Sequence, residues 1–407
     1  MSRPFSSRRQ GFRGLFTRFV GMVLGLIVAA ALIVGLQLPL LHPLSSAKVS
    51  LVRLTASNAS TPLAWPNVGS AALDIPSLGV LESHHDQVVP IASLTKMMTA
   101  YVVLKKLPLG IGATGPCYVV TSGDVTTYNE MASLNESSVP VVLGEQLCEI
   151  DLLNGLLVHS AGNFAVMLAN LAAGSTTQLI ADMNHDAATL GLSGTHYADV
   201  SGFSPESVST ALDQAKLATL IMKSPLVRSI VLQQSVTLPV AGVVASFTPF
   251  VGFDNVIGVK SGRTSEAGGC DVMAMTFQDG AATRVLYAVV LGQQGGDLLG
   301  PAGDAALALA DSAVSGQLHY TFEANRAVGV LGWDGRHVAF GVTQRREVWW
   351  WPAQVHVRVH VSVRRFTSTI RRGEVVGHLV VHGVKRHTFT LRAFGSLSPP
   401  TLLQRLR

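Results

Sequence analysis

The chain has 407 residues, 48% of them hydrophobic and only 14% charged, with 30 Lys+Arg against 25 Asp+Glu and a net charge of +5. Abundant Val, Leu, Ile and Ala exclude general disorder, because their burial offsets the entropy of ordering the chain. The basic excess is mild and gathered at the two ends, which excludes a nucleic-acid footprint, and the length allows two or three domains.

Residues 1–18 hold five arginines and no acid. From 19 to 41 no side chain is charged, and only Gln37 and Pro39 interrupt the apolar run. At about 1.5 Å per residue such a run crosses a hydrocarbon core about 30 Å thick. The basic flank predicts a cytoplasmic segment 1–18, a single-pass signal-anchor 19–41 in the cell membrane, and the rest of the chain outside the cytoplasm. Cleavage of a signal peptide near Ala29-Ala30-Ala31 is the competing outcome. The stretch is long for an apolar region of about 7–15 residues, which favours the anchor. No later run is long and apolar enough to span a membrane, so a multi-pass protein is excluded. Residues 42–69, rich in Ser, Pro, Thr and Ala, read as a linker.

From 70 to 318, helical and strand patterns interleave without regular βαβ units. Residues 93–107 (SLTKMMTAYVVLKKL) and 150–173 carry apolar groups at helical spacing, the second despite Gly155 and Gly162. Residues 270–278 and 284–292 read as strands joined by a polar turn. Cys117 opens a strand-like CYVVT, and Cys148 precedes the helix at 150. If these segments pair, the oxidising exterior makes Cys117–Cys148 a disulfide candidate. Cys270, in a buried-looking strand, is expected to be a free and inert thiol. No CxxC spacing is present, and nothing visible calls for a metal or an organic cofactor.

Beyond 319 the pattern becomes short alternating strands. VHVRVHVSV (355–363) puts His356, Arg358, His360 and Ser362 on one wet face, which is an ordinary polar face more readily than a metal site. Segments 375–381 and 387–392 follow. Residues 319–407 therefore read as a small β-rich domain, in which Trp349, Trp350 and Trp351 either pack or make a surface contact.

Three short elements carry chemistry. In Ser93-Leu94-Thr95-Lys96 the hydroxyl and the amine lie three apart on one helical face, so an uncharged lysine can take the serine proton. Ser45-Ser46-Ala47-Lys48 has the same spacing by chance, so the tetrad alone is weak. Lys260-Ser261-Gly262 places an amine, a hydroxyl and a glycine at a strand edge, where backbone N–H groups can meet an oxyanion and substrate can approach closely. By itself this reads better as a surface hairpin. Between the two, Ser160 and Asn163 interrupt an apolar helix, for local capping or because they face a cleft.

In this order the three elements resemble the SxxK, SxN and K[ST]G motifs of the penicillin-recognising serine enzymes. More narrowly, the chain resembles the low-molecular-weight penicillin-binding protein family, the serine-type D-alanyl-D-alanine carboxypeptidases. The likeness extends through IASLTKMMTA, DLLNGLLVHS, THYADVSGFSPESVSTALDQAKL (195–217) and GVKSGRTSEAGGC (258–270). It implies an α+β fold, a mixed helix and antiparallel-sheet domain at 70–318 followed by the small all-β domain. It also implies a hydrolase that removes the terminal D-Ala from peptidoglycan stem peptides and takes β-lactams as covalent inhibitors.

On this resemblance Ser93 is the nucleophile, Lys96 its general base, and Ser160 a proton relay. Lys260, Ser261, Gly262, Arg263 and Thr264 bind substrate, with the oxyanion between the amides of Ser93 and Arg263. One departure stands out. The SxN slot reads Ser160-Ala161-Gly162, with Asn163 one place late and expected to bind substrate in its stead. The glycine motivates an alternative, a catalytically impaired homologue that binds wall peptides as a scaffold or regulator. A true SxN, Ser133-Leu134-Asn135, lies too early and reads as loop.

Overall fold

The computed structural model describes residues 22–24, 26–30, 32, 62–279, 282–316, 318–333, 336–350, 358–366, 368–382 and 386–398. The Ser45/Lys48 pair, His356 and Trp351 lie outside them, as does most of the 19–41 segment, of which residues 22–24, 26–30 and 32 are helical and exposed. Among the described residues no single helix is long and apolar enough to cross a membrane.

The first domain runs, in chain order, through β1 (Ser70–Ile75), β2 (Val80–His84), β3 (Val89–Pro90), a 3-10 turn (Ala92–Leu94), α1 (Thr95–Lys106), β4 (Cys117–Val119), α2 (Ser122–Ser133), β5 (Gln146–Cys148), α3 (Glu149–Leu157), α4 (Gly162–Ala173) and α5 (Thr176–Thr189). It continues through β6 (Val208–Ser209), α6 (Ala211–Ile221), α7 (Pro225–Val231), β7 (Ser235–Leu238), β8 (Gly242–Ala245), β9 (Val256–Thr264), β10 (Gly268–Asp279), β11 (Ala282–Gln293) and α8 (Leu299–Ser315). Five strands form one antiparallel sheet in the order β2-β1-β11-β10-β9. The two runs expected as strands are β10 and β11, paired antiparallel from Gly269↔Gln293 to Asp279↔Ala282.

Both faces of this sheet are covered, which explains why β10 and β11 read as continuous apolar runs with no wet face. Side chains alternate between two cores. Ala72, Val272, Ala274, Val289 and Leu291 point into the helical lobe, while Ala71, Leu73, Ile75, Met273, Met275, Ala288 and Val290 point toward α8. Packing onto this domain starts before Ser70. Leu63 and Trp65, within the expected linker, already pack on the second of these cores.

In the helical lobe α1 is buried over most of its length, from Thr95 to Ala100 and at Val102 and Val103. The helix expected over 150–173 is two helices, α3 and α4, broken at residues 158–161. Ser160 sits at φ +65°, a left-handed conformation that a non-glycine residue adopts only under tertiary constraint. Neither Pro nor a polar run marks the break. Cys117 and Cys148 face each other across the β4–β5 pair and are joined in a disulfide. Cys270 is a buried free thiol, pushed up to about 12 by burial.

The last part of the chain is all β. Strands β12 (Leu318–Phe322), β13 (Gly329–Trp333), β14 (Arg336–Gly341), β15 (Arg346–Trp350), β16 (Arg358–Val363), β17 (Val375–His382) and β18 (Arg386–Ala393) form a β12–β15 ladder and a sheet ordered β13-β14-β18-β17-β16. A separate core gathers Phe340, Val376, Leu379, Val381 and Leu391, while His360, Ser362, His378 and His382 are exposed. The backbones of Trp349 and Trp350 belong to β15.

Candidate active site

Ser93 lies in the 3-10 turn that leads into α1, one turn before Lys96, and both leave the helix on the side of β9. Lys96 Nζ donates to Ser93 Oγ at 2.8 Å and to the Ser201 carbonyl at 2.7 Å. The lysine is wholly buried, and burial pushes its amine down to about 8, against the opposing pull of Glu136 and Asp199. Desolvation penalises the charged form, so about a tenth of this amine is uncharged at pH 7 and able to accept the serine proton.

The strand β9 closes the other side. Gly262 packs directly on the Ser93 backbone: a Cβ there would stand 2.6 Å from Ser93 N and 3.1 Å from Ala92 Cβ. Lys260, also fully buried, donates to its neighbour's carbonyl, Ser261 O, at 2.8 Å. Burial, and then the like charge of Lys96, hold its amine well below the ordinary range, while Asp271 pulls the other way. Asp271, opposite Ser261 on β10, is buried with neither carboxylate oxygen hydrogen-bonded, and burial holds its carboxyl well above the usual range. The Ser261 hydroxyl donates to Phe247 O at 2.9 Å.

A cleft of about 680 Å³ opens over these groups. Of the residues singled out from the sequence, Ser93, Arg263 and Thr264 line it. Lys96, Lys260, Ser261 and Gly262 form the packed layer just described. The Arg263 guanidinium donates to Asp297 O at 2.7 Å, and Thr264 Oγ1 accepts from Ala267 N at 3.0 Å, which folds the end of β9 over the cleft. Ser160 is buried, its Oγ without a hydrogen-bond partner.

Asn163 requires a correction. Its side chain does not face the cleft as a substitute for the missing motif residue. The amide donates to Val139 O at 2.8 Å and its Oδ1 accepts from Val139 N at 3.0 Å, both buried. A backbone segment that has no strand partner takes both of its hydrogen bonds from this one side chain.

Three contributors were not singled out from the sequence. Asp199 accepts from Ser201 Oγ, Phe203 N and Ser207 Oγ, folding residues 199–207 into the loop that brings the Ser201 carbonyl to Lys96. Gly202 (φ +81°) permits that approach, because any Cβ would strike the Ala92 carbonyl. Glu136, with Leu134, Asn135 and Ser137, forms the opposite wall. The signal for Asp199 and Gly202 was present in the quoted DVSGFSPES stretch. For Glu136 there was none.

The disregarded Ser133-Leu134-Asn135 explains this wall. It is the C-terminal cap of α2: Asn135 takes the left-handed conformation at φ +57°, its N–H donates to Ala132 O at 3.2 Å, and Glu136 N–H donates to Met131 O at 2.9 Å. Those two bonds are a Schellman cap with asparagine in the place usually taken by glycine.

Residues 73–295 match the family model described as D-alanyl-D-alanine carboxypeptidase. The chain is 34% identical over 224 residues to a D-alanyl-D-alanine endopeptidase of Pseudomonas aeruginosa, covering 51% of this chain and 67% of that protein. It is 34% identical over 184 residues to D-alanyl-D-alanine carboxypeptidase DacC of Escherichia coli, covering 44% of this chain and 45% of that protein. Several alignments thus span only about half the length of the curated relatives. Among solved structures, penicillin binding protein 6B of Escherichia coli superposes with a TM-score of 0.58 at 22% identity, covering 84% of this chain and 99% of that one. Penicillin binding protein 5 of Haemophilus influenzae does so with a TM-score of 0.56 at 21% identity, covering 86% and 99%. These structural likenesses carry the two-domain fold.

Proposed function

We infer the function from one premise: this chain belongs to the D-alanyl-D-alanine carboxypeptidase family. We propose that it is a serine DD-carboxypeptidase that removes the terminal D-Ala from peptidoglycan stem peptides. The observation that carries the reading is the 2.8 Å contact between the depressed amine of Lys96 and Ser93 Oγ, at the edge of a cleft bounded by β9.

Ser93 Oγ attacks the carbonyl of the penultimate D-Ala while Lys96 Nζ takes its proton. The C–N bond to the terminal D-Ala breaks, that nitrogen is protonated, and D-Ala leaves. Water, deprotonated by Lys96, then hydrolyses the ester. The amides of Ser93 and Arg263 receive the oxyanion, Lys260, Ser261 and Thr264 attract the terminal carboxylate, and Ser160 relays the proton to the leaving nitrogen. A β-lactam carbonyl enters the same path and leaves an acyl group on Ser93. Residues 19–41 tether the protein to the cell membrane, with the catalytic domain outside.

Incubating the 407-residue protein in detergent with a labelled penicillin tests this. An adduct is expected on the wild type and none on Ser93→Ala. Equal labelling of the two ends the proposal.

The name of the Pseudomonas aeruginosa relative favours a second reading, endopeptidase cleavage of cross-linked peptides on the same acyl-enzyme path. Mass spectrometry of a pentapeptide and of a cross-linked dimer, offered together, decides between free D-Ala and monomer as product. The scaffold alternative rested on Gly162. A burst of penicillin labelling followed by D-Ala release from pentapeptide excludes it.

A further inference from the structure

α4 starts at Gly162, the position at which the family's SxN motif carries asparagine. The volume that side chain would fill is not empty. A Cβ built at Gly162 collides with Glu136 Oε1 and stands 2.9 Å from Glu136 Cδ and 3.3 Å from Met131 Sδ. The carboxyl group of Glu136 thus occupies the slot from another loop, and it lines the same cleft as Ser93.

Several bonds hold the backbone of its loop there. Besides the Schellman bond from Glu136 N–H to Met131 O, the Gly162 N–H donates to Ser137 O at 2.7 Å. Asn163 then clamps Val139 on both sides. The first two residues of α4 are therefore hydrogen-bonded to the loop whose carboxyl fills the gap above them. Glu136 Oε1 is buried without a hydrogen-bond partner, an arrangement that costs stability and asks for a reason.

We propose that Glu136 is a positioning residue of the Ser93–Lys96 pair, its carboxyl group standing in for the asparagine side chain absent at Gly162. The inference rests on the serine peptidase reading above. As Ser93 attacks, its O–H bond breaks and an N–H bond forms on Lys96, so positive charge develops on the amine. A negative charge on Glu136 stabilises that positive charge, where a neutral amide offers only its dipole. The charged groups acting on Lys96 are Glu136, Asp199 and, with opposite sign, Lys260. Burial holds the Glu136 carboxyl above the usual range, and Lys96 draws it back down in part.

This arrangement reverses the simple expectation for position 162. Asparagine placed at 162 alone is expected to displace the Glu136 carboxyl rather than rescue the motif, because the two claim the same volume.

The test is a double-mutant cycle on the full chain, read by the penicillin acylation rate, its pH midpoint and the melting temperature. Glu136→Gln, which keeps shape and removes charge, is expected to slow acylation on the order of 10–100-fold and to move the midpoint to lower pH. Its melting temperature stays near that of the wild type. Glu136→Ala and Gly162→Asn alone are each expected to slow acylation as well, while Glu136→Ala/Gly162→Asn recovers at least about tenfold over the slower of these two single variants. Glu136→Gln acylating at the wild-type rate with an unmoved midpoint overturns the proposal. So does a double variant whose loss is the product of the two single losses. A wild type that forms no Ser93-dependent adduct overturns the peptidase reading itself, and is told apart from these because the variants are then never compared.

Discussion

Gly262 and Ser93 meet backbone to backbone, with no room for a side chain between them: a Cβ at 262 would stand 2.6 Å from Ser93 N and 3.1 Å from Ser93 Cα. The register of β9 against Ser93 is therefore set by the absence of one methyl group. Gly262→Ala is expected to push β9 away and slow penicillin acylation on the order of 10²-fold, since a displacement of about 1 Å at a reacting centre has that effect. The melting temperature should fall little, because the rest of the sheet is unaltered. An acylation rate within threefold of wild type contradicts this account.

Lys96 serves as a base only when uncharged. With its amine pushed down to about 8 by burial, the uncharged fraction falls about tenfold for each pH unit below that value. The acylation rate should thus rise with pH up to about 8 and level off above it. A rate constant from pH 6 to pH 9 rules Lys96 out as the base. Stability carries the matching sign. The folded value lies below the ordinary 10.5, so between the two the unfolded chain binds more protons, and this group makes the fold gain stability as pH rises through that window.

The disulfide spans 31 residues and encloses both α2 and the wall of the cleft at residues 134–137. Replacing Cys117 and Cys148 together by Ala releases a loop whose closure contributes about 3–4 kcal/mol in the chain-entropy account. Chemical denaturation should show a loss of that size. A higher KM for peptide is expected with it, since the wall is then less well held. An unchanged denaturation midpoint would show that β4 and β5 hold the loop without help.

Asn163→Ala removes both partners of Val139 at once and leaves a buried N–H and C=O unpaired, at a cost of about 2–4 kcal/mol. Because Asn163 holds the loop rather than touching substrate, acylation measured below the new melting point should change far less than in Glu136→Gln. A variant with normal stability and much reduced turnover would restore Asn163 to the substrate-binding set.

Much of the molecule was legible from the chain alone. That Ser93 and Lys96 can meet follows from a spacing of three on one helical turn, a local fact. The β10–β11 hairpin, the β strands near the C-terminus and the Cys117–Cys148 pairing were legible for the same reason: each is dictated by short-period patterning or by neighbouring segments. The break at residues 158–161 was not, because an apolar helical pattern runs straight through it and the left-handed Ser160 is imposed by packing.

Position 162 shows where that boundary falls. Reading the residues in order reveals that an asparagine is absent and a glycine present, and it marks Asn163 as polar on an apolar helix. Only the folded molecule reveals that Glu136 fills the vacated volume and that Asn163 is occupied with Val139. Local patterning decides which groups can share a turn or a face. Which atoms collide, and which lone backbone groups find a partner, depends on distances between segments far apart in the chain, and those exist only once the lobes have closed on each other.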